Sequence, residues 1–291
     1  MGFKSGYVAI LGRPNVGKST LVNYLVGQKI SIVTHKPQTT RNKIFGIANF
    51  KQGQIILIDT PGLHRARKEL NKAMMKEALK SVEDADLNIF ITDTHKNNFE
   101  KDRVFLNLLE NRKNILFINK IDLIKKSEVL PMIEKYNETG LFLEIVPISL
   151  LKGENLDKIV DVIFKYLPEG PAFYPDNIVS TETERFIVAE IIREKVFLKL
   201  REEIPYSTSV IIDYFYDEEN LVKIGASIIV EKESHKKIVI GKKGSMIKDI
   251  GIAAREELEL FLGKRVYLNL FVKVVKNWTS NPRKVQEFMG K

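Results

Sequence analysis

The sequence predicts an α/β domain with a mostly parallel sheet and helices on both faces, followed by a smaller α+β domain. Three observations support this fold class. In the first half of the chain, apolar strand-like runs alternate with amphipathic helical runs. Polar motifs follow several of these strands at their carboxyl ends, where open α/β sheets bind ligands. After a break rich in proline and glycine, the order becomes helix, strand, strand, helix, helix, strand.

The first motif joins the opening strand to the first helix. Residues 12–19 read Gly-Arg-Pro-Asn-Val-Gly-Lys-Ser, the Gly-x-x-x-x-Gly-Lys-Ser pattern of phosphate-binding loops. Glycines let backbone N–H groups turn towards phosphate oxygens, and the helix start adds partial positive charge. Lys18 is expected to reach the β- and γ-phosphates, and the Ser19 hydroxyl to bind Mg²⁺. The nucleotide-binding residues expected here are Asn15, Val16, Gly17, Lys18, Ser19 and Thr20.

Two further motifs supply expected metal ligands and γ-phosphate contacts. Nucleotide switches place a Mg²⁺-binding threonine in the loop that here spans 35–42, where Thr40 is the first choice and Thr39 the second. Asp59 ends a strongly apolar strand, which positions it to hold Mg²⁺. Gly62 has no side chain, so its N–H can approach a γ-phosphate. The expected metal ligands are Ser19, Thr40 and Asp59, and the expected catalytic residues are Lys18, Thr40, Asp59 and Gly62.

A third motif indicates which base is bound. Residues 119–122 read Asn-Lys-Ile-Asp and follow a buried strand over 115–118. The Asp122 carboxylate can accept hydrogen bonds from N1–H and the exocyclic amine of guanine, a donor pair that adenine lacks. Asn119 is expected to bond the base and the phosphate loop, and the Lys120 stem to cover the base plane. Together, the motifs predict GTP and GDP as ligands, with Mg²⁺.

Composition limits the other function classes. The chain of 291 residues has no cysteine, which excludes disulfides and thiolate metal sites. It has neither an apolar run long enough for a membrane span nor an N-terminal signal-peptide core, so a cytoplasmic protein is expected. The net charge of +9 favours acidic partners, either nucleic acid or an anionic membrane surface.

The second domain contains a motif typical of nucleic-acid binding. The predicted boundaries are 1–170 for the first domain, 171–181 for a linker, 182–276 for the second domain and 277–291 for a basic tail. Residues 241–244 read Gly-Lys-Lys-Gly between two helical runs, where glycines permit close approach of a sugar-phosphate chain and lysines add charge. The alternative is a helix-capping turn on a solvated basic face. The RNA-binding candidates are Lys237, Ile238, Ile240, Gly241, Lys242, Lys243, Gly244, Ile247 and Lys248.

The tail holds the single tryptophan, Trp278. Base stacking is one interpretation. Packing against the domain is the one we favour, because tryptophans are mostly buried.

These motifs together resemble the Era family, bacterial GTPases with a C-terminal KH domain. The resemblance covers nearly the whole chain and rests on residues 12–19, 38–41, 59–62, 119–122 and 239–244. The element order of the second domain predicts a type II KH domain, and a monomer is expected. The resemblance implies an assembly factor of the small ribosomal subunit. That factor would bind single-stranded sequence near the 3′ end of the ribosomal RNA. It further implies that the GTP-bound form binds RNA, that RNA stimulates hydrolysis, and that the protein associates peripherally with the inner membrane.

Four further details concern the nucleotide site, and the resemblance bears on the first and the last of them. Ser149, Leu150 and Leu151 are expected to meet the guanine carbonyl through backbone amides, although relatives carry alanine where Leu150 stands. Leu63 occupies the position of a water-orienting glutamine in several GTPases, so slow intrinsic hydrolysis is expected. His64 is an alternative base, but an exposed loop histidine is the favoured interpretation. Some relatives with asparagine at the position of Asn15 use potassium in catalysis, which makes K⁺ a second candidate cation.

Two rival functions are considered, and the first of them belongs to a different functional class. The chain could be a nucleotide-gated scaffold that docks on membrane or protein through its basic second domain. It could also be a tRNA-modification or double-domain ribosome GTPase. Such chains carry a second phosphate loop or a cysteine-bearing tail, and this sequence has neither.

Overall fold

The computed structural model describes residues 2–63, 68–95 and 98–289, which divide into two units. The first unit holds the described residues of Met1–Ser31, Thr40–Arg65 and Met74–Thr181. The second holds those of Ile32–Thr39, Ala66–Ala73 and Glu182–Lys291. His64, the alternative base raised by the sequence, lies outside the described residues.

A mixed sheet forms the centre of the first unit. Its strands are β1 (Lys4–Leu11), β2 (Ile44–Phe50), β3 (Gly53–Asp59), β4 (Leu87–Asp93), β5 (Asn114–Asn119) and β6 (Glu144–Pro147). Within the described ranges the spatial order is β2, β3, β1, β4, β5, β6. Of the strand pairings between described residues in this sheet, β2–β3 alone is antiparallel, which confirms the predicted mostly parallel sheet. Strands β3, β4 and β5 are buried along their whole length, as their continuous apolar runs require.

The helices of this sheet domain follow the strands in alternation. They are α1 (Lys18–Val26), α2 (Glu69–Asp84), α3 (Asn98–Leu106), α4 (Lys126–Asn137) and α5 (Asp157–Tyr166). Sequence reasoning missed α4, which has Pro131 in its interior. Proline removes one helical hydrogen bond and so weakens the local signal for a helix. The helix begins where Glu128 accepts a bond from the backbone N–H of Lys125, at 2.9 Å.

The predicted linker, 171–181, pairs with the first unit over much of its length. The buried Gln54 side chain accepts from the N–H groups of Phe173 and Tyr174 and donates to the Tyr174 carbonyl. Further along, the Ile47 N–H donates to the Val179 carbonyl at 2.9 Å. These bonds give the backbone of an irregular segment the partners it needs.

The second unit has the predicted order of a type II KH domain. Its elements are α6 (Glu184–Lys199), β7 (Ser209–Asp217), β8 (Leu221–Val230), α7 (Glu233–Ile240), α8 (Ser245–Leu262), β9 (Arg265–Val274) and α9 (Pro282–Phe288). Strand β8 pairs antiparallel with β7 and parallel with β9. Helices α6 and α8 contribute to one apolar core with this sheet. No helix within the described ranges is long and apolar enough to cross a membrane.

Trp278 belongs to the packing of this unit. Its side chain is fully buried, and its Nε1–H donates to the Ser207 carbonyl at 2.9 Å. Its ring meets the Phe288 ring edge-on at 5.5 Å. The favoured interpretation from the sequence, packing rather than base stacking, is confirmed.

Candidate nucleotide site and nucleic-acid interface

The phosphate loop leaves β1 and enters α1 with the backbone that its glycines permit. Gly12 and Gly17 have φ values of 141° and 114°. A Cβ at Gly12 would lie 2.1 Å from the Ile91 carbonyl oxygen, so no side chain fits there. The motif therefore forms a sharply turned loop at the carboxyl end of the central strand β1. A loop of this kind can direct its backbone N–H groups at a phosphate.

Lys18 is buried in this loop and has no carboxylate partner among the residues that the structure describes. Its ammonium donates to the carbonyls of Gly12 at 3.1 Å and Arg13 at 2.9 Å. Burial lowers the pKa of Lys18 to about 8, against the opposing effect of Asp59. A buried cation held by neutral carbonyls gains from a negatively charged ligand, so the site fits a polyphosphate.

Three oxygen-bearing side chains converge at the start of α1. The Ser19 hydroxyl donates to Asp59 Oδ2 at 2.7 Å and lies 2.9 Å from the Thr40 hydroxyl. Burial raises the pKa of Asp59, while the Ser19 bond and the Lys18 charge act in the opposite direction. Its other oxygen, Oδ1, is buried with no hydrogen-bond partner among the described residues. Oxygen donors with an unsatisfied carboxylate oxygen fit Mg²⁺.

The hydroxyl that lies beside Ser19 and Asp59 is that of Thr40, and the hydroxyl of Thr39 is bonded elsewhere. The Thr39 hydroxyl lies 2.7 Å from that of Thr34 and donates to the Lys36 carbonyl. Gly62 also lies at the loop, because a Cβ there would come within 2.9 Å of Pro14. The next N–H, that of Leu63, donates to the Gly12 carbonyl at 3.0 Å.

Asn119 ties the predicted base-reading motif to the phosphate loop. Its amide nitrogen donates to the Val16 carbonyl at 2.8 Å, and its oxygen accepts from the Leu150 N–H at 3.1 Å. The Leu150 side chain reaches 3.2 Å from where a Cβ of Gly17 would stand. Leu151 is 82% exposed.

Asp122 and Lys120 are each oriented by a neighbour. The Ser149 hydroxyl donates to Asp122 Oδ1 at 2.6 Å, which leaves the second carboxylate oxygen for a ligand. Lys120, in the left-handed region at φ 64°, donates to the Asn15 carbonyl at 2.8 Å and to Asp93 at 2.6 Å. Although burial would raise it, the bond from Lys120 holds the pKa of Asp93 below its ordinary value.

Sequence reasoning missed Asp93 and a second buried carboxylate. Asp93 ends β4, the same signal that identified Asp59 and Asn119. Asp102 of α3 is fully buried and accepts from Arg13 Nε at 2.5 Å and Tyr136 OH at 2.7 Å. It also accepts from the Thr92 hydroxyl at 2.6 Å. This cluster fixes the start of the phosphate loop against α3 and α4, a long-range arrangement that no local pattern reveals.

In the second unit, the Gly-Lys-Lys-Gly turn lies between α7 and α8 as predicted. Gly241, Lys243 and Gly244 have φ values of 75°, 54° and 79°. Lys242 and Lys243 are both exposed, as is Ile238 on the preceding helix. The turn therefore presents charge and a close backbone approach at the start of α8.

A groove of about 360 Å³ runs beside this turn, between α8 and β9. Of the predicted residues, Ile247 and Lys248 line it. Sequence reasoning did not include its other walls, which are Gly251, Ile252, Arg255, Val266, Tyr267, Leu268 and Leu270. They escape a local search because α8 and β9 meet only in the folded unit. An apolar groove with an arginine and an exposed tyrosine suits unstacked bases.

Comparisons with known proteins agree with both halves of this geometry. A family profile described as 50S ribosome-binding GTPase matches residues 7–120, and a KH domain profile matches 203–279. GTPase Era of Syntrophus aciditrophicus is 47% identical over 98% of this chain and 95% of its own length. GTPase Era of Geobacter metallireducens is 48% identical over 98% of this chain and 97% of its own.

The chain belongs to the Era family of GTPases.

Two solved Era structures have the same fold over almost the whole length. One is Era in complex with MgGDPNP and nucleotides 1506–1542 of 16S ribosomal RNA, with a TM-score of 0.92 and 44% identity over 98% of both chains. The other is a variant of Aquifex aeolicus Era bound to GDP and aluminium fluoride. Its TM-score is also 0.92, at 43% identity over 98% of this chain and 99% of that one.

Proposed function

We propose that this Era-family chain is a GTP-hydrolysing, RNA-binding switch that acts in assembly of the small ribosomal subunit. One observation supports the nucleotide half above all. Ser19, Thr40 and the buried Asp59 converge beside Lys18, and one oxygen of Asp59 has no hydrogen-bond partner within the described ranges. In this proposal those three side chains hold Mg²⁺, which supplies positive charge to the β- and γ-phosphate oxygens when bound.

The chain's own residues then divide the remaining work. Lys18 binds the phosphates and Asp122 selects guanine. Asn119 holds the base-reading motif, residues 119–122, against the phosphate loop. The γ-phosphate contact is assigned to the N–H of Gly62, because Gly62 packs against Pro14 of the phosphate loop. Loss of that phosphate is expected to release Thr40 and Gly62 and relax both loops.

Potassium belongs to the same proposal. The Asn15 carbonyl accepts from Lys120, which fixes the backbone of the residue at the position implied to bind K⁺. Leu63 offers no polar group to orient water, so an added cation would compensate for its absence. Hydrolysis is expected to be faster in potassium than in sodium at equal ionic strength. Equal rates in the two salts would remove K⁺ from the proposal.

For the second unit we propose single-stranded RNA from the 3′ end of the small-subunit ribosomal RNA as the ligand. The groove between α8 and β9 supports this, together with the likeness to the Era that was solved with 16S RNA. We further propose a cytoplasmic monomer whose RNA binding stimulates hydrolysis. Peripheral association with the inner membrane is a separate element of the proposal, and sedimentation with anionic vesicles tests it.

The test is fluorescence anisotropy at a fixed salt concentration, with a single strand that copies the 3′ end of the ribosomal RNA. Tighter binding with a non-hydrolysable GTP analogue than with GDP is expected. Equal affinities would leave an RNA-binding GTPase whose domains are merely tethered. No binding in either state would favour the scaffold that docks on membrane or protein.

A further inference from the structure

The eight residues that precede the metal-site threonine, 32–39, belong to the second unit rather than the first. They lie on α6, the first helix of the KH domain. The Val33 N–H donates to Glu194 Oε1 at 2.9 Å, and the Thr39 carbonyl accepts from the Arg193 guanidinium. We call residues 32–39 the strap. Helix α6 binds it close to both of its ends.

A lysine fixes the middle of the strap to the end of α6. The last carbonyls of a helix have no intrahelical donor. The Lys36 ammonium donates to two of them, those of Phe197 and Leu200. Inside the strap, the Thr39 hydroxyl donates to the Lys36 carbonyl at 2.7 Å. The strap is thus a turn with internal bonds whose centre caps a KH helix.

The α6 residues that bind the strap are themselves fixed. Arg193 and Glu194 are each only 2% exposed. Arg193 Nε donates to Glu190 at 2.7 Å, and its guanidinium lies over the Phe197 ring at 5.1 Å. Buried charges held by several partners have defined positions, unlike lysines on a surface.

The same network extends towards the nucleic-acid groove. Lys195 lies 3.0 Å from Glu194 and also pairs with Glu257. Glu257 is on α8, the helix that begins at the Gly-x-x-Gly turn and forms one wall of the groove. One carboxylate, Glu194, therefore contacts both the strap and the lysine that joins α6 to α8.

We propose that Arg193, Glu194 and Lys36 are positioning residues for GTP hydrolysis: the KH unit holds the strap and thereby sets the position of Thr40, the next residue in the chain. This inference rests on the proposed function, in which Thr40 binds Mg²⁺. The Lys195–Glu257 pair makes the position of the strap depend on α8, and so on RNA in the groove.

The first test is Lys36→Met in the full chain, which keeps the aliphatic stem and removes the donors. The Mg²⁺ concentration for half-maximal GTP hydrolysis is expected to rise about tenfold, the effect of losing a charged hydrogen bond. Affinity for GDP should stay within about twofold, because GDP lacks the γ-phosphate that engages this loop. Lys51→Met, at an exposed turn of the first unit, is the matched control and should match the wild type.

A pair of variants at Glu194 separates positioning from folding. Glu194→Gln keeps an oxygen for the Val33 N–H and should retain most of the wild-type Mg²⁺ response. Glu194→Ala removes the acceptor and should raise the Mg²⁺ concentration for half-maximal hydrolysis, as Lys36→Met does. The melting temperature of each variant is measured alongside.

The RNA arm uses Lys195→Met. In the wild type, RNA is expected to raise the affinity for a GTP analogue, and the analogue to raise the affinity for RNA by the same factor, as linkage requires. In Lys195→Met this coupling factor should fall towards one, while RNA and the analogue each still bind in the absence of the other.

Three outcomes would overturn all or part of this inference and leave the proposed function in place. Folded Lys36→Met and Glu194→Ala proteins with an unchanged Mg²⁺ response would do so. Equal losses of GDP and GTP-analogue affinity would show a purely structural role. A Lys195→Met protein with the full wild-type coupling factor would refute the link to α8. A wild-type chain that binds neither GDP nor the GTP analogue would instead overturn the proposed function and this inference together.

Discussion

At the scale of single residues, the proposed selection of guanine rests on Asp122. Asp122→Asn is expected to weaken GTP binding at least about 100-fold, because an amide repels one of the two guanine donors. The same amide can donate to the oxygen that xanthine carries in place of the guanine amine, so xanthosine triphosphate should bind better than GTP. Competition against a fluorescent guanine nucleotide measures both affinities.

The matched control is Asp157→Asn, an exposed carboxylate in the first turn of α5. It makes the same chemical change on a side chain outside the base-reading motif and should leave guanine binding unchanged. A folded Asp122→Asn protein that still prefers GTP would contradict the role given to this carboxylate.

Leu150 is a departure from the family pattern that the structure accommodates. Its contact with Asn119 uses the backbone N–H, which any residue supplies. Leu150→Ala is therefore expected to change GDP affinity by no more than about threefold. In free energy, that change is smaller than the contribution of one typical hydrogen bond. Titration calorimetry measures the affinity. A loss beyond tenfold would mean that the leucine side chain itself supports the bound base.

At the scale of elements, one buried carboxylate joins the phosphate loop to α3 and α4. Asp102→Asn is expected to lower the free energy of unfolding by about 3 kcal/mol, since it leaves Arg13 without its charged partner and disturbs bonds to Thr92 and Tyr136. Urea unfolding followed by circular dichroism measures the change.

Glu110→Gln serves as the control for this measurement, because Glu110 is exposed just beyond α3. It should stay within about 0.5 kcal/mol of the wild type. An Asp102→Asn protein of wild-type stability would show that the cluster does not anchor the loop.

Helices and strands were predictable from sequence where the apolar periodicity and the residues that bound each element indicated the same structure. Apolar runs bounded by turn residues predict buried strands over 44–50, 54–58 and 115–118. The first has the limits of β2, and the other two are one residue shorter at each end than β3 and β5. Helix α4 was missed because Pro131 contradicts its helical character. At the sites, residues within motifs were identified, whereas Asp102, Arg255 and Tyr267 were not. These three act through neighbours distant in sequence, which local periodicity cannot reveal.

At the scale of the whole molecule, the net charge of +9 favours RNA binding, and the position of the positive charges is expected to matter more than their total. The double reversal Lys242→Glu with Lys243→Glu is expected to weaken RNA binding and to lower the slope of log affinity against log salt by about 1 to 2. Anisotropy titrations at several salt concentrations measure both.

An equal change in net charge elsewhere provides the control. Lys51→Glu with Lys113→Glu reverses two exposed lysines of the first unit and should have a much smaller effect on affinity. Equal losses in the two double variants would mean that only total charge matters. Loss of vesicle binding with retained RNA binding in the Lys242 and Lys243 variant would favour the membrane role.

The burial of Trp278 gives the chain an internal optical reporter. It is the single tryptophan in the sequence, and it is enclosed between Ser207 and Phe288 in the KH unit. Indole emission during denaturation therefore follows that unit alone, whereas far-ultraviolet dichroism follows the helices and strands of both. Two traces from one unlabelled sample thus separate the melting of the RNA-binding half from that of the nucleotide-binding half.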